Sequence, residues 1–319
     1  MSSEIQNRTV RGVCPLCGHG SSPVFDLTHA SVWKCSSRTC GLEFAFPQLG
    51  EVDLSRCYTA LYYPDGDNQK ATFDNSSQDV FQQFFDQLSL RLGPANGRRL
   101  LDYGCGYGRL LRIAKERGFQ PTGIETDPVA RQACRDKSGS DVFESIEELQ
   151  MSQPRAEFDL IILWTVIEHL REPWVDLAKL RALLSPGGWL YVSTMDIRCL
   201  RARLEGRRWE QYANPTHLFY FDNVSLRNAL LTAGFSSPLR WHLKFRHPHH
   251  SILRRVFYSI SSFLGLADGL IYICQEDPYG NGAARTDVVQ STHIAASRGT
   301  ETTEFNLLVQ SMPVRKETE

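Results

Sequence analysis

The sequence predicts an α/β protein, a doubly wound and mostly parallel sheet preceded by a small cysteine-rich unit. Over residues 98–275, short apolar runs alternate with amphipathic segments, which is the pattern of βαβ units. The first run leads into three glycines spaced by two, Gly104, Gly106 and Gly108, as a tight strand-to-helix loop requires. Two cysteine pairs lie within residues 14–40 and indicate a separate unit before the sheet.

The composition bounds the class of protein. A chain of 319 residues allows one large domain, or one large and one small. Hydrophobic residues make up 42% and charged residues 22%, which suffices for a sizeable core. The net charge of −1 excludes a global attraction to nucleic acid or acidic membranes, so any such attraction must be local. Because residues 1–13 lack a signal-peptide core and no run is long enough to span a bilayer, we expect a cytoplasmic, non-membrane protein with reduced cysteines.

The cysteine pairs have the spacing of a zinc ribbon. Cys14 and Cys17 lie in CPLCG, and Cys35 and Cys40 lie in KCSSRTCG. Each pair precedes a glycine, so two tight turns can direct four thiolates toward one tetrahedral ion. The sequence therefore predicts a structural zinc ribbon over residues 1–48, with no coordination position left for a substrate. A knuckle that has lost its metal, or four unrelated buried cysteines, are the alternatives.

The remaining elements follow from periodicity and from breaker residues. Residues 49–97 are predicted to be a linker and helices that cover a cleft, with one helix over 79–92. A polar, disordered tail is predicted over 276–319. The first strand is predicted at 100–102, and the second ends at Glu125. Further strands are predicted at 141–143, 159–163, 189–194, 238–244 and 270–274. Helices are predicted after the glycine loop and at 127–137, 173–184, 222–233 and 251–266, with a turn at 185–188.

The glycine loop and its flanking acids indicate a nucleotide-type cofactor. Backbone amides of the loop can approach a ligand at the N-terminus of the next helix, and Glu125 ends the second strand, where a carboxylate accepts hydrogen bonds from ribose hydroxyls. A dinucleotide fingerprint needs glycine where this chain has Arg109. Asp102 would repel a pyrophosphate but suits a ligand that carries an ammonium group. A glycine-rich turn without a ligand is the alternative.

The stretch LLDYGCGYGRLLRIAKERGFQPTGIETD, residues 100–127, resembles motif I of the class I S-adenosylmethionine-dependent methyltransferases. The resemblance implies a seven-stranded Rossmann-like sheet with its last strand antiparallel. It also implies that S-adenosylmethionine is bound with its methionine part in the loop, its ribose on Glu125 and its adenine beside Glu144 or Ser145. The cofactor-binding residues so implied are Asp102, Gly104, Cys105, Gly106, Gly108, Glu125, Thr126, Ser145 and Trp164.

A second stretch, FDLIILWTVIEHL followed by a Pro-Gly-Gly turn, resembles the methyltransferase group that includes ubiquinone-type O-methyltransferases. His169 lies just past the strand end, where residues of open α/β sheets face the ligand, and it is a candidate general base. Some relatives bind a divalent ion through Glu-x-x-Glu-His and a distant histidine. Glu168, His169 and His217 match three of those positions, but Thr165 replaces the first glutamate. Alternatively, Glu168 and His169 only cap and orient a helix.

Residues 196–221 are where this fold usually builds substrate specificity. Related zinc-ribbon methyltransferases carry Pro-x-His-Leu-x-x-Phe here, so His217 is a second candidate base. After the ribbon, GLEFAFPQLGEVDLSRCYTALYYPDGD resembles the same relatives and implies that Tyr62 or Tyr63 lies near the methionine carboxylate, with core packing as the alternative. Two basic groups are either solvated faces or contacts for an anionic substrate. They are Arg198, Arg201, Arg203, Arg207 and Arg208, and residues 244–255.

The predicted function is transfer of a methyl group from S-adenosylmethionine to O, N or C of a small molecule, anionic molecules included. His169, His217 or both act as the general base, with Glu168 beside them. An RNA-modifying methyltransferase is a less favoured alternative, in which the ribbon and the arginines grip the RNA backbone. A non-catalytic binding or scaffold protein that keeps the fold is the other.

Overall fold

The computed structural model describes residues 12–62, 75–243 and 269–276. Its strands are β1 (Ser21–Asp26), β2 (Ser31–Cys35), β3 (Glu43–Phe46), β4 (Arg99–Tyr103), β5 (Gln120–Ile124), β6 (Asp141–Phe143), β7 (Phe158–Trp164), β8 (Leu184–Met195), β9 (Phe219–Tyr220), β10 (Leu239–Arg240) and β11 (Gly269–Gln275). Its helices are α1 (Glu51–Tyr62), α2 (Asn75–Leu92), α3 (Arg109–Glu116), α4 (Pro128–Ser138), α5 (Ile146–Ser152), α6 (Pro173–Ala182), α7 (Leu200–Glu205), α8 (Glu210–Ala213) and α9 (Asn223–Thr232). Short 3₁₀ turns lie at Ile167–His169 and Gly206–Arg208.

The larger sheet has seven strands in the order β10-β11-β8-β7-β4-β5-β6. Strands β6, β5, β4, β7 and β8 are mutually parallel, and β11 runs antiparallel to both β8 and β10. The central strands are buried on both faces, as parallel strands covered by helices must be. The predicted doubly wound, seven-stranded sheet with an antiparallel last strand is confirmed.

Local sequence signals explain several helix ends. The Asp127 carboxylate accepts hydrogen bonds from the amides of Val129 and Ala130, both at 2.9 Å, and so caps α4. Asp222 and Ser225 form a capping box at the start of α9. Helix α2 begins at Asn75, before the predicted start at residue 79.

The predicted turn at 185–188 is part of strand β8. Leu184 pairs with Phe158 and Trp189 pairs with Leu160, with a register shift between the two pairs. The Pro-Gly-Gly residues therefore form a bulge, and the chain stays within the sheet. Tyr63, the predicted helix at 251–266 and the predicted tail beyond residue 276 lie outside the described residues.

The smaller sheet joins the cysteine-rich unit to the rest of the chain. Its antiparallel order is β1-β2-β3-β9, in which β9 belongs to the segment predicted to bind substrate. Phe44 pairs with Phe219, and the amide of Ala45 donates a 3.0 Å hydrogen bond to the carbonyl of Leu218. Phe44 and Phe219 are each 1% exposed and share one core with β7 and β8. The boundary after residue 48 stays a prediction, and backbone pairing crosses it.

In the described ranges, no helix is both long and apolar enough to cross a membrane.

Candidate active site at the carboxyl edge of the sheet

The glycine loop after β4 is shaped by close backbone packing. Gly104 has φ 82° and Gly108 has φ 76°, a region that side chains disfavour. A Cβ on Gly104 would lie 2.5 Å from Val166 Cγ2, and one on Gly108 would lie 2.5 Å from Cys134 Sγ. Only glycine fits at either position. The loop therefore packs directly on the turn that follows β7, and this contact brings the two predicted motifs together.

The Glu125 carboxylate is oriented by the backbone. Its Oε2 accepts a 2.8 Å hydrogen bond from the amide of Gly106, and its Oε1 accepts a 2.9 Å bond from the amide of Asp127. The residue is 2% exposed at the end of β5. Each carboxylate oxygen has two lone pairs, so the group can accept further hydrogen bonds from a ligand.

Asp102, at the end of β4, is a buried carboxyl group. It is 3% exposed, and within the described residues no hydrogen bond or cation offsets the effect of burial on its charged form. Burial, and then the nearby Glu125 carboxylate, raise the pKa of Asp102 to about 8. Because isolated charge is costly to bury, the protonated form of this group is favoured at pH 7 where no cation compensates it. The site therefore fits the ammonium group of an amino-acid moiety.

The other residues predicted to bind the cofactor surround this loop, and several have partners within the protein. Cys105 Sγ lies 3.6 Å from Cys134 Sγ, and the Ser145 hydroxyl accepts a 3.2 Å hydrogen bond from the amide of Glu148, which caps α5. Trp164 is stacked on Tyr191 with ring centroids 5.4 Å apart. Thr126 is exposed beside Glu125. Their roles in cofactor binding stay predictions.

Helix α1 covers the cleft from the other side. The Thr59 hydroxyl donates a 3.0 Å hydrogen bond to Asp127 Oδ2, next to the Glu125 site. On the same helix, the ring centroids of Tyr58 and Tyr62 lie 5.6 and 5.7 Å from that of His169 in edge-to-face contacts. One helix therefore borders both the cofactor loop and the candidate base.

His169 lies in the 3₁₀ turn after β7 in a defined tautomer. Its Nδ1 lies 3.0 Å from the carbonyl oxygen of Thr216, which can only accept, so Nδ1 carries the proton. Burial lowers the pKa of His169 to about 4, so the ring is neutral near pH 7. A neutral imidazole protonated on Nδ1 offers its Nε2 lone pair as a proton acceptor.

His217 is brought to the same place from a different part of the chain. The two imidazole centroids lie 4.8 Å apart, and His217 is 6% exposed. Its Nδ1 lies 3.0 Å from the carbonyl oxygen of Gln211, and its Nε2 lies 3.1 Å from Asn214 Nδ2. Burial, and then His169, hold the pKa of His217 well below its usual range. Both of its ring nitrogens are engaged by the protein.

Glu168 completes the cluster. It is 4% exposed, burial raises its pKa to about 7, and its Oε2 is buried with no hydrogen-bond partner among the described residues. Donor atoms of Glu168, His169 and His217 all lie within 4.8 Å of one another, as a divalent-ion site would need. An ion at His217 Nε2 would have to displace Asn214, so the geometry favours proton transfer over metal binding. Thr165 is exposed and has φ 52°.

The four ribbon cysteines are clustered as predicted. Their sulfur atoms all lie within 4.8 Å of one another, with Cys14–Cys40 at 3.8 Å and Cys17–Cys35 at 3.4 Å. Zn–S bonds of about 2.3 Å in a tetrahedron place sulfurs about 3.8 Å apart, so the cluster fits a zinc ion. A hydrogen bond with Cys40 is the main cause that lowers the pKa of Cys14 to about 5.

The arginines near the substrate segment are partly neutralised. Arg198 lies 3.3 Å from an oxygen of Asp222, and Arg201 makes ion pairs with Glu205 at 2.8 Å and Glu210 at 3.0 Å. These contacts favour a solvated face for this pair of arginines. The second predicted basic group, residues 244–255, lies outside the described residues.

One residue of the cluster had no role in the sequence analysis. Asn214 bonds to Tyr62, Thr216 and His217. In the sequence it is half of an Asn-Pro dipeptide, which indicates only a turn. Its position next to the Pro-x-His motif was the one available signal.

The chain is similar to known proteins over part of its length. A family model described as a methyltransferase domain matches residues 74–237. The ubiquinone biosynthesis O-methyltransferase of Xylella fastidiosa is 36% identical over 117 residues, 35% of this chain and 47% of the relative. The same enzyme of Rhodopseudomonas palustris (strain HaA2) is 29% identical over 132 residues, 40% of this chain and 48% of the relative. The chain thus spans about half the length of these curated relatives.

Among solved structures, a chain from the Haloferax volcanii complex of the Trm112 methyltransferase activator with a methyltransferase aligns with a TM-score of 0.50 at 14% identity. The alignment covers 65% of this chain and 95% of that one. At this identity, the likeness concerns the fold alone.

Proposed function

The chain belongs to the methyltransferase-domain family, among the class I S-adenosylmethionine-dependent methyltransferases, and from this premise we propose that it transfers a methyl group from S-adenosylmethionine to a small molecule. The observation that carries the proposal is the placement of three groups at one edge of the sheet. Asp102 ends β4, Glu125 ends β5, and His169 follows β7. Adjacent parallel strands thereby bring these three side chains around one cleft, which supports the proposed roles of two carboxylates in cofactor binding and of a histidine as the base.

When bound, S-adenosylmethionine supplies a methyl group on a positively charged sulfur. Asp102 would pair with its ammonium group, Glu125 would accept hydrogen bonds from the ribose hydroxyls, and the glycine loop would hold the methionine part. The pairing at Asp102 is supported by the buried, uncompensated carboxyl. These contacts orient the cofactor, and orientation is the main requirement for an in-line displacement.

The acceptor is held between the cofactor and the base. His169 Nε2 would accept the proton of the acceptor oxygen or nitrogen as that atom takes the methyl group from the sulfur. Tyr58 and Tyr62 border this position and suit a planar or aromatic acceptor. The ubiquinone O-methyltransferase relatives support oxygen as the acceptor atom. His217 packs against His169 and is itself held by hydrogen bonds to Gln211 and Asn214.

The cysteine cluster is proposed to hold one structural zinc ion. Four thiolates complete a tetrahedron and leave no position for substrate. Because β3 pairs with β9, the ion would also stabilise the segment that carries His217.

Calorimetric titration with S-adenosylmethionine tests the cofactor assignment. We expect one site per chain, and Glu125→Ala to weaken binding by about 10- to 100-fold, since a hydrogen-bonded charged group contributes about 1.5–3 kcal/mol. Glu157→Ala is the matched control, because Glu157 is exposed. Equal affinity in the three proteins would contradict the assignment, and no binding would favour a scaffold role.

A panel of labelled acceptors tests the substrate class. We expect methyl transfer to hydroxylated aromatic compounds, with little dependence on salt. Transfer to RNA that falls steeply with added salt would support the RNA-modifying alternative instead.

A further inference from the structure

We propose that Asn214 is the positioning residue of the base cluster: through Thr216 and His217 it fixes which nitrogen of His169 accepts the proton. This inference rests on the proposed methyl transfer and deepens it. Asn214 is partly buried in the loop between α8 and β9. It is hydrogen-bonded to Tyr62 of α1, to Thr216 and to His217. The carbonyl of Thr216 is bonded to His169, and the ring of His217 lies against the His169 ring.

The orientation of the Asn214 amide follows from its partners. The backbone amide of Thr216 can only donate, and it lies 3.0 Å from one terminal atom of Asn214, which must therefore be Oδ1. The Thr216 hydroxyl donates to the same oxygen at 2.7 Å. The other terminal atom is Nδ2, a donor, and it donates to the Tyr62 hydroxyl at 2.8 Å and to His217 Nε2 at 3.1 Å.

This orientation leaves His217 one tautomer. Because Asn214 Nδ2 donates, His217 Nε2 must accept, and the ring proton lies on Nδ1. The carbonyl oxygen of Gln211, 3.0 Å from Nδ1, accepts that proton. Both hydrogen bonds of the ring require the same tautomer. His217 is therefore a neutral group with both ring nitrogens bonded, and not a second free base.

The same asparagine also positions the group that determines the tautomer of His169. Asn214 Oδ1 holds Thr216 by its amide and its hydroxyl, and the Thr216 carbonyl accepts from His169 Nδ1 at 3.0 Å. Thr216 is fully buried, so its carbonyl has little freedom to turn. His169 Nε2 is thereby left as the acceptor atom. The other titratable groups around the pair are Glu168, Tyr58, Tyr62, and His29 of the β1–β2 turn, whose charge acts on His217.

Asn214→Asp is the sharpest test, because it replaces the Nδ2 donor of the side chain with an oxygen and keeps the shape of the side chain. Oδ1 can still accept from Thr216, but a carboxylate cannot donate to His217 Nε2. We expect Nε2 to take up a proton, giving an imidazolium whose ring centroid lies 4.8 Å from that of His169. Side-chain ¹⁵N NMR should then show His217 changing from the Nδ1-protonated neutral form to the doubly protonated form near pH 7.

The kinetic expectation separates positioning from general damage. A neighbouring cation makes His169 a weaker base, so kcat should fall by about tenfold or more, the effect of about 1.4 kcal/mol, while the affinity for S-adenosylmethionine stays within about twofold. Asn96→Asp introduces the same chemical change at an exposed loop position and should leave kcat and both histidine signals unchanged.

Two results would overturn the proposal: a wild-type His217 that carries its proton on Nε2, or an Asn214→Asp enzyme with unchanged His217 signals and kcat. The first needs no variant, so the proposal stays testable if Asn214→Asp does not fold. Failure of the proposed function is distinguishable. A protein that binds no S-adenosylmethionine would refute methyl transfer and leave the tautomers as described, whereas a wrong tautomer would refute the role of Asn214 and leave methyl transfer intact.

Discussion

Replacing Asp102 with asparagine should stabilise the free protein and weaken its binding of the cofactor. The buried carboxyl has a pKa of about 8 when folded, against 3.8 for an ordinary aspartate. Between these two pH values the folded chain holds a proton that the unfolded chain has lost, so stability falls as the pH rises through this range. Asparagine is similar in shape, remains neutral and carries no such penalty.

The size of the effect follows from linkage. One pKa unit corresponds to about 1.4 kcal/mol, so the penalty grows from near zero at pH 4 to about 4 kcal/mol at pH 7. Burial is the larger cause of the shift and the Glu125 carboxylate the smaller. With the cofactor bound, the wild type is favoured over Asp102→Asn. The ammonium group of the ligand compensates the charge of the aspartate, whereas the neutral amide of asparagine offers no charge to pair with it. We expect affinity to fall by about 10- to 100-fold.

Urea unfolding of both proteins at pH 5, 6, 7 and 8 measures the penalty. The free energy of unfolding of Asp102→Asn should exceed that of the wild type by a margin that widens with pH and levels off near pH 8. A margin that does not change with pH would refute an uncompensated buried carboxyl. Asp136→Asn is the control, because Asp136 lies on the exposed side of α4 near Gln132.

Other predictions concern the base, the loop and the zinc. His169→Gln should lower single-turnover rates by about 10²- to 10⁴-fold with unchanged cofactor affinity, and near wild-type rates would exclude the base role. Because the pKa of His169 is lowered to about 4, kcat should be level from pH 6 to 8 in Glu168→Gln, which removes the neighbouring carboxyl with a pKa of about 7, whereas a rise centred on pH 6.5 in that variant would show an unburied base. Gly108→Ala should destabilise by about 1–3 kcal/mol in urea unfolding, and more than Gly93→Ala, because Gly93 has a similar φ of 79° but an open space around it. Chelation should remove about one zinc per chain and, by hydrogen exchange, expose the Ala45 amide but not those of β4 and β5, while equal exposure of both would contradict a stabilising role limited to the ribbon and to β9, which pairs with it.

The sheet could be predicted from sequence because its signals are local. Apolar runs mark β4, β5 and β7, and the caps at Asp127 and Asp222 begin helices where they were predicted. The number of strands and the antiparallel last strand followed from resemblance to a family, and the strand order was not predicted, since periodicity carries no information on pairing. The predicted turn at 185–188 was wrong, because a bulge accommodates Pro-Gly-Gly within strand β8.

The base cluster was predictable only in part. His169 and His217 were singled out by their motifs, and the structure places their rings 4.8 Å apart. Their tautomers, and the role of Asn214, depend on hydrogen bonds between residues far apart in the chain, which no local pattern encodes. The two-residue strand β9 was missed for the same reason, since its pairing with β3 joins Phe219 to Phe44.

The most direct test of the central claim counts protons released when S-adenosylmethionine binds. Calorimetry at pH 7 in two buffers of different ionisation enthalpy gives this number. If a protonated Asp102 pairs with the ammonium group of the cofactor, close to one proton should leave per molecule bound in the wild type, and none in Asp102→Asn. Binding without proton release, or equal release in both proteins, would contradict the account.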